Sequence, residues 1–104
     1  MALIYSTSIA HGLRAGATNA VVFTVPATQT LVIRSVTLYC YAGGAASAGV
    51  THSDGARVCT SDVAGATGGD LFDMRHVFEA GETVYVFTTT ADWTYAISGY
   101  LLNN

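Results

Sequence analysis

The 104-residue sequence contains no lysine, and charged side chains make up only 11% of it, where about 25% is ordinary for a soluble domain. Four arginines against seven acidic residues give a formal net charge of -3. That leaves no basic stripe to follow a phosphate backbone, so no nucleic-acid partner is expected. The stretch Met1 to Ala10 has neither a basic start nor a long apolar middle, and no apolar run approaches bilayer-spanning length. This predicts neither a secretory signal nor a membrane partner, and synthesis in a cytosol. Proline occurs once, at Pro26, and cysteine twice, at Cys40 and Cys59. In a reducing compartment two cysteines are expected to be free thiols. No stretch holds a helical period, so an α-rich fold is excluded.

Hydrophobic residues, by contrast, make up 51% of the chain. Leu31 to Tyr41 is the longest run that reads as one strand. Val32, Val36, Leu38 and Cys40 fall on one alternating face and Leu31, Ile33, Tyr39 and Tyr41 on the other, which predicts a mid-sheet strand covered on both sides. Further strands are expected at 2–9 and at 19–25, where Pro26 ends the run, with 11–18 as a loop. Gly43-Gly44 and Asp54-Gly55 look like two-residue hairpin turns and predict a three-stranded meander of 31–41, 46–53 and 56–61. Residues 62–69 read as a mobile loop or a crossover between sheets. Asp70 to Phe78 then reads as a strand whose half-buried face carries Phe72, Met74, His76 and Phe78. After a tight turn at 79–82, segments 83–90 and 93–102 are expected to form a terminal hairpin around Ala91-Asp92. Its register would set Val86 opposite Ile97, with Tyr85, Phe87 and Tyr100 on the other face. The whole, 1–104, reads as a single all-β domain, a two-sheet antiparallel β-sandwich of about eight strands with a jelly roll as one winding. Low charge and aromatics on both strand faces predict a surface covered by neighbouring subunits, hence a homo-oligomer.

The residues offer little chemistry. His52-Ser53-Asp54 has the residue types of a nucleophilic triad, but consecutive residues at a turn cannot converge, so it reads as a turn and no catalytic residue is assigned. His11, His52, His76, Cys40 and Cys59 show no metal-ligand spacing, and neither a metal nor a cofactor is expected. The pairs Asp70/Asp73 and Glu79/Glu82 read as solvated acids flanking strands. Arg34, in the middle of the most apolar strand, should seek Asp73, Glu79 or Glu82 as an ion-pair partner. Trp93 beside a turn could serve as a flat platform for a saccharide, although packing against the other sheet is the commoner use of such a ring.

Two stretches carry a resemblance. The segment 23–36 contains Val25-Pro26-Ala27 leading into Val32, Arg34 and Val36, and the segment 78–102 contains Gly81-Glu82 opening a hairpin that ends in Ser98, Gly99, Tyr100 and Leu102. In both, the sequence resembles small virion structural proteins of tailed bacteriophages, of the capsid decoration or minor tail protein type. The resemblance implies a β-sandwich virion component without enzymatic activity, with other virion proteins as its partners and the virion, assembled in the host cytoplasm, as its location. It carries no catalytic residues to transfer. Tyr85, Phe87 and Tyr100 are the candidate interface. A carbohydrate-binding module, or a receptor-contacting tail component using Trp93 and the 62–69 loop, is the alternative.

Overall fold

The computed structural model describes residues 7–14, 18–41, 45–63, 67–90 and 92–104. Eight strands follow one another, β1 (Thr7–Arg14), β2 (Asn19–Thr24), β3 (Gln29–Cys40), β4 (Ala46–Thr51), β5 (Arg57–Val63), β6 (Gly68–Phe78), β7 (Thr83–Thr88) and β8 (Trp93–Asn103). They form two four-stranded antiparallel sheets. Strands of 8 to 12 residues in the order β1-β8-β3-β6 make a long sheet, and strands of 6 or 7 residues in the order β2-β7-β4-β5 make a short one. The first strand pairs with the last, β2 with β7, β3 with β6 and β4 with β5. The chain is therefore one long hairpin, folded at the β4–β5 turn and wrapped around itself. This is the jelly-roll winding of an all-β sandwich.

The core lies between the sheets. From the long sheet come Leu31, Ile33, Val36, Leu38, Cys40, Phe78, Trp93 and Ile97, and from the short sheet Ala46, Ala48, Val50, Val84 and Val86. β3 supplies residues to this layer along most of its length because its register shifts between Ile33 and Ser35. Such a bulge inserts one residue and reverses the parity of the strand beyond it. Leu31 and Ile33 thus share the inward side with Val36, Leu38 and Cys40, while Tyr39 is left 44% exposed and Tyr41, just past the strand, 41%. Simple alternation had divided these residues differently. Arg34 sits at the bulge, exposed, and forms no ion pair among the described residues.

Strand positions and strand partners fared differently. β3 is mid-sheet, between β8 and β6, as its composition predicts. The meander is not formed, however, because β3 and β4 lie in different sheets, and Gly43-Gly44 falls outside the described residues. The terminal hairpin is not formed either. β7 pairs with β2 and β4, and β8 with β1 and β3, so Val86 faces Ala20 and Val50 while Ile97 faces Ala10 and Val36. The expected loop after Ile9 is instead the body of β1, and residues 1–6 lie outside the described residues. The β4–β5 hairpin is present, with Val50 opposite Cys59. Its loop has three residues rather than two: the Ala56 carbonyl accepts the His52 N–H at 2.9 Å, the His52 carbonyl accepts the Gly55 N–H at 3.0 Å, and Gly55 has φ +89°. A turn followed by one left-handed residue is the usual three-residue solution, and glycine adopts that φ without steric cost.

Both cysteines are free thiols. Cys40 ends β3 of the long sheet and Cys59 lies in β5 of the short one. Burial pushes the Cys59 thiol up to about 11, a value at which it is a poor nucleophile and a poor metal ligand at neutral pH.

Candidate functional site: a histidine row between the sheets and two unlike outer faces

The short sheet ends β4 at Thr51, and the turn that follows begins with His52. On the facing edge of the long sheet, β6 alternates so that Phe72, Met74, His76 and Phe78 are the less exposed set, which matches the face read from the sequence. His52 stacks on Phe78 with ring centroids 4.0 Å apart and planes 18° apart, and His76 meets the same ring edge-on at 5.4 Å. The two imidazoles are then in direct contact. His52 Nε2 lies 2.7 Å from His76 Nε2, His52 Nδ1 lies 3.1 Å from Glu82 Oε2, and Glu82 Oε1 accepts the Glu79 N–H at 2.7 Å. A row of carboxylate, imidazole, imidazole therefore runs from the start of β7 across the end of β4 to β6, joining the two sheets. A second tie lies on the same side of the sandwich, where the Ser61 hydroxyl on β5 donates to Asp70 Oδ2 on β6 at 2.5 Å.

The electrostatics follow from these contacts. The Glu79 N–H, and after it the bond from His52, holds the Glu82 carboxyl below the usual carboxylate range. Burial, followed by the neighbouring His52, holds His76 below the usual imidazole value, with Glu82 opposing in the other direction. The row can store or pass a proton. It has no substrate cleft beside it, since no pocket opens among the described residues. Ser53 and Asp54 complete no triad, because Asp54 Oδ1 is engaged with the Ala56 N–H at 2.9 Å. The row is linear rather than convergent, and among the described residues no three His, Cys, Asp or Glu side chains gather to hold a metal ion. Glu82 is thus a structural acceptor as well as a partly exposed turn acid, a role its sequence neighbours gave no sign of.

The two outer faces differ. The aromatic pair expected at an interface, Tyr85 and Phe87, lies on the outward side of β7 in the short sheet, whereas Tyr100 lies on the outward side of β8 in the long sheet. All three are half-buried. The Arg57 guanidinium sits 4.3 Å over the Phe87 ring, and a Cβ at Gly49 would lie 2.5 Å from that ring. The exposed large hydrophobic side chains within strands are Leu13, Tyr39, Leu71, Val77 and Leu102 on the long sheet, and Val21 alone on the short one. In register, Leu13 and Tyr39 flank Thr94, and Val77 and Tyr100 flank Val32. Trp93 is 0% exposed and packs in the core, so its ring presents no face to a saccharide.

No protein-family model and no curated protein matches the chain. Solved structures match through the fold. A structure of infectious bursal disease virus, Gx strain, superposes with a TM-score of 0.51 at 17% identity, covering 96% of this chain and 32% of that one. A structure of Bacillus endospore appendages, described as disulfide-linked pili, gives a TM-score of 0.48 at 15% identity over 95% of this chain and 87% of that chain. The virus-like particle of extra small virus from the prawn Macrobrachium rosenbergii gives 0.42 at 13% over 97% and 82%. The chain spans about a third of the first of these, and at such identities the likeness is one of fold, with the scores below one half carrying no weight.

Proposed function

We propose that this chain is a non-enzymatic virion structural protein that packs against neighbouring subunits through the outer face of its long sheet. The observation that carries the reading is the distribution of exposed apolar side chains, five on the strands of the long sheet and one on those of the short. Exposed apolar groups that gather on one face of a small domain mark a contact surface. A fold wound as a jelly roll, shared with a structure of infectious bursal disease virus, supports a role in a coat. Tyr100 belongs to the same face, whereas Tyr85 and Phe87 lie on the opposite side, where the Arg57 guanidinium already covers the Phe87 ring. The partners are further copies of this chain and other virion proteins. The resemblance of 23–36 and 78–102 to tailed-phage proteins supports either a decoration protein or a minor tail protein, and of the two the proposal is decoration of the head.

Mass spectrometry of particles banded on a density gradient tests the reading. The chain is expected to remain with the particle peak at a fixed ratio to the major coat protein, and its absence from washed particles would reject the proposal.

A further inference from the structure

The Glu82–His52–His76 row has a capacity for protons that its geometry fixes. In the neutral row the His52 Nδ1–H donates to Glu82, and one N–H lies between the two Nε2 atoms 2.7 Å apart. A first added proton is accommodated, because an imidazolium at one ring can donate to the bare nitrogen of the other. A second is not. It would place two N–H groups and two positive charges face to face across the same gap, so the hydrogen bond that links the sheets would be lost.

We propose that the row is an acid-sensitive latch: it holds the β6 edge of the long sheet to the β4–β5 end of the short sheet at neutral pH, and its second protonation releases that edge. The inference does not depend on the coat reading. The charged groups around the row do not compensate the second proton. Glu82 already accepts from His52 and from the Glu79 N–H, and Asp54, on the β4–β5 turn, acts on Glu82 as a like charge. Arg57 is committed to the Phe87 ring, and Arg34, Arg75 and Glu79 are exposed. Opposite His76 on β3 stands the apolar Ile33. Beyond the row itself, the β5–β6 side is tied by the Ser61–Asp70 bond.

The direction with pH follows. Burial keeps the folded His76 below the value of about 6.5 that an exposed imidazole has. The unfolded chain therefore binds the proton first as the pH falls. Stability associated with this group is complete above about 6.5 and declines below it, levelling off under the folded value. Glu82, also lowered, adds loss in the same direction at more acidic pH.

Amide hydrogen exchange of the intact protein between pH 8 and pH 5, corrected for intrinsic rates, tests this. Amides at the end of β6 and in the 52–56 turn are expected to lose protection by about tenfold or more on acidification while β3–β8 amides hold theirs, as expected of local opening. His76→Gln, whose amide can still bond His52 but cannot take a proton, is expected to abolish that loss. His11→Gln, on β1 of the far edge, is expected to keep it. Unchanged protection in the parent protein, or an equal loss in His76→Gln, would overturn the latch, as would its disappearance in His11→Gln. Should His76→Gln not fold, nitrogen-15 shifts of the parent imidazoles decide. Uptake of the second proton by the pair well below pH 6.5, coincident with the loss of protection, supports the latch, and uptake without any loss rejects it.

Discussion

Across the outer face of the short sheet, the side chains satisfy one another. Phe87 lies against Gly49 beneath the Arg57 guanidinium, Ser47 donates to Asp62 at 2.5 Å, and Arg57 also reaches Thr60 at 3.3 Å. On the outer face of the long sheet, by contrast, Leu71 is left 64% exposed among the described residues. Both faces carry aromatic and aliphatic residues, so composition does not separate them. What separates them is whether a neighbour within the chain already shields the apolar surface. A face completed internally resists change for reasons of folding, whereas a face left open tolerates change in the folded chain and is sensitive only when something docks on it.

Substitutions can sharpen or break this contrast. The inner layer sets the scale: Trp93→Ala should cost roughly 3–5 kcal/mol in denaturant unfolding, the usual loss for a buried aromatic. On the short sheet, Gly49→Ala should cost about 1–3 kcal/mol, because a Cβ there would lie 2.5 Å from both the Cys59 carbonyl oxygen and the Phe87 ring. Gly68→Ala, where a Cβ meets nothing within 4 Å, should be near neutral, and equal costs at the two glycines would show that the short sheet's face is not closed. Gly55→Val at φ +89° should lower stability by about 1–3 kcal/mol, read as a shift of the urea midpoint without a change of slope. Leu71→Lys should have the smallest effect on folding, within about 0.5 kcal/mol. The same variant should nevertheless shift sedimentation of the purified protein from assembled species toward monomer, whereas Val21→Lys on the short sheet should not. Retained assembly in Leu71→Lys would break the comparison.

The sequence made the strands legible where alternation is local, and the pairing opaque where it is not. The inward set Phe72, Met74, His76 and Phe78 and the turn at Gly55 could be read because neighbours a few residues apart decide them. The connections β3–β4 and β7–β8 could not, because their small and polar residues resemble hairpin turns while the chain in fact passes from one sheet to the other. A turn signal says that the chain reverses and leaves its next partner open. The bulge at Arg34 misled in a similar way, since one inserted residue exchanges the faces of everything beyond it. As for the histidine row, His52 lies 24 residues from His76 and 30 from Glu82, distances at which no spacing rule operates. Once β4 and β7 are known to be neighbours, with β5 and β6 on the same side of the sandwich, the turns bearing His52 and Glu82 fall at one end of it.

The wrapped-hairpin topology also has a consequence in time. β8 is the partner of both β1 and β3, so the long sheet cannot close around its central strand until the final strand of the fold has emerged from the ribosome. Pairings between segments so far apart in the chain are slow to find one another, on the millisecond-to-second scale of non-local β folds. Until then the edge of β3 that β8 will occupy has no ladder partner. A nascent chain paused short of Trp93 would be a substrate for chaperones, and the open outer face of the long sheet could recruit partners only once β8 is in place.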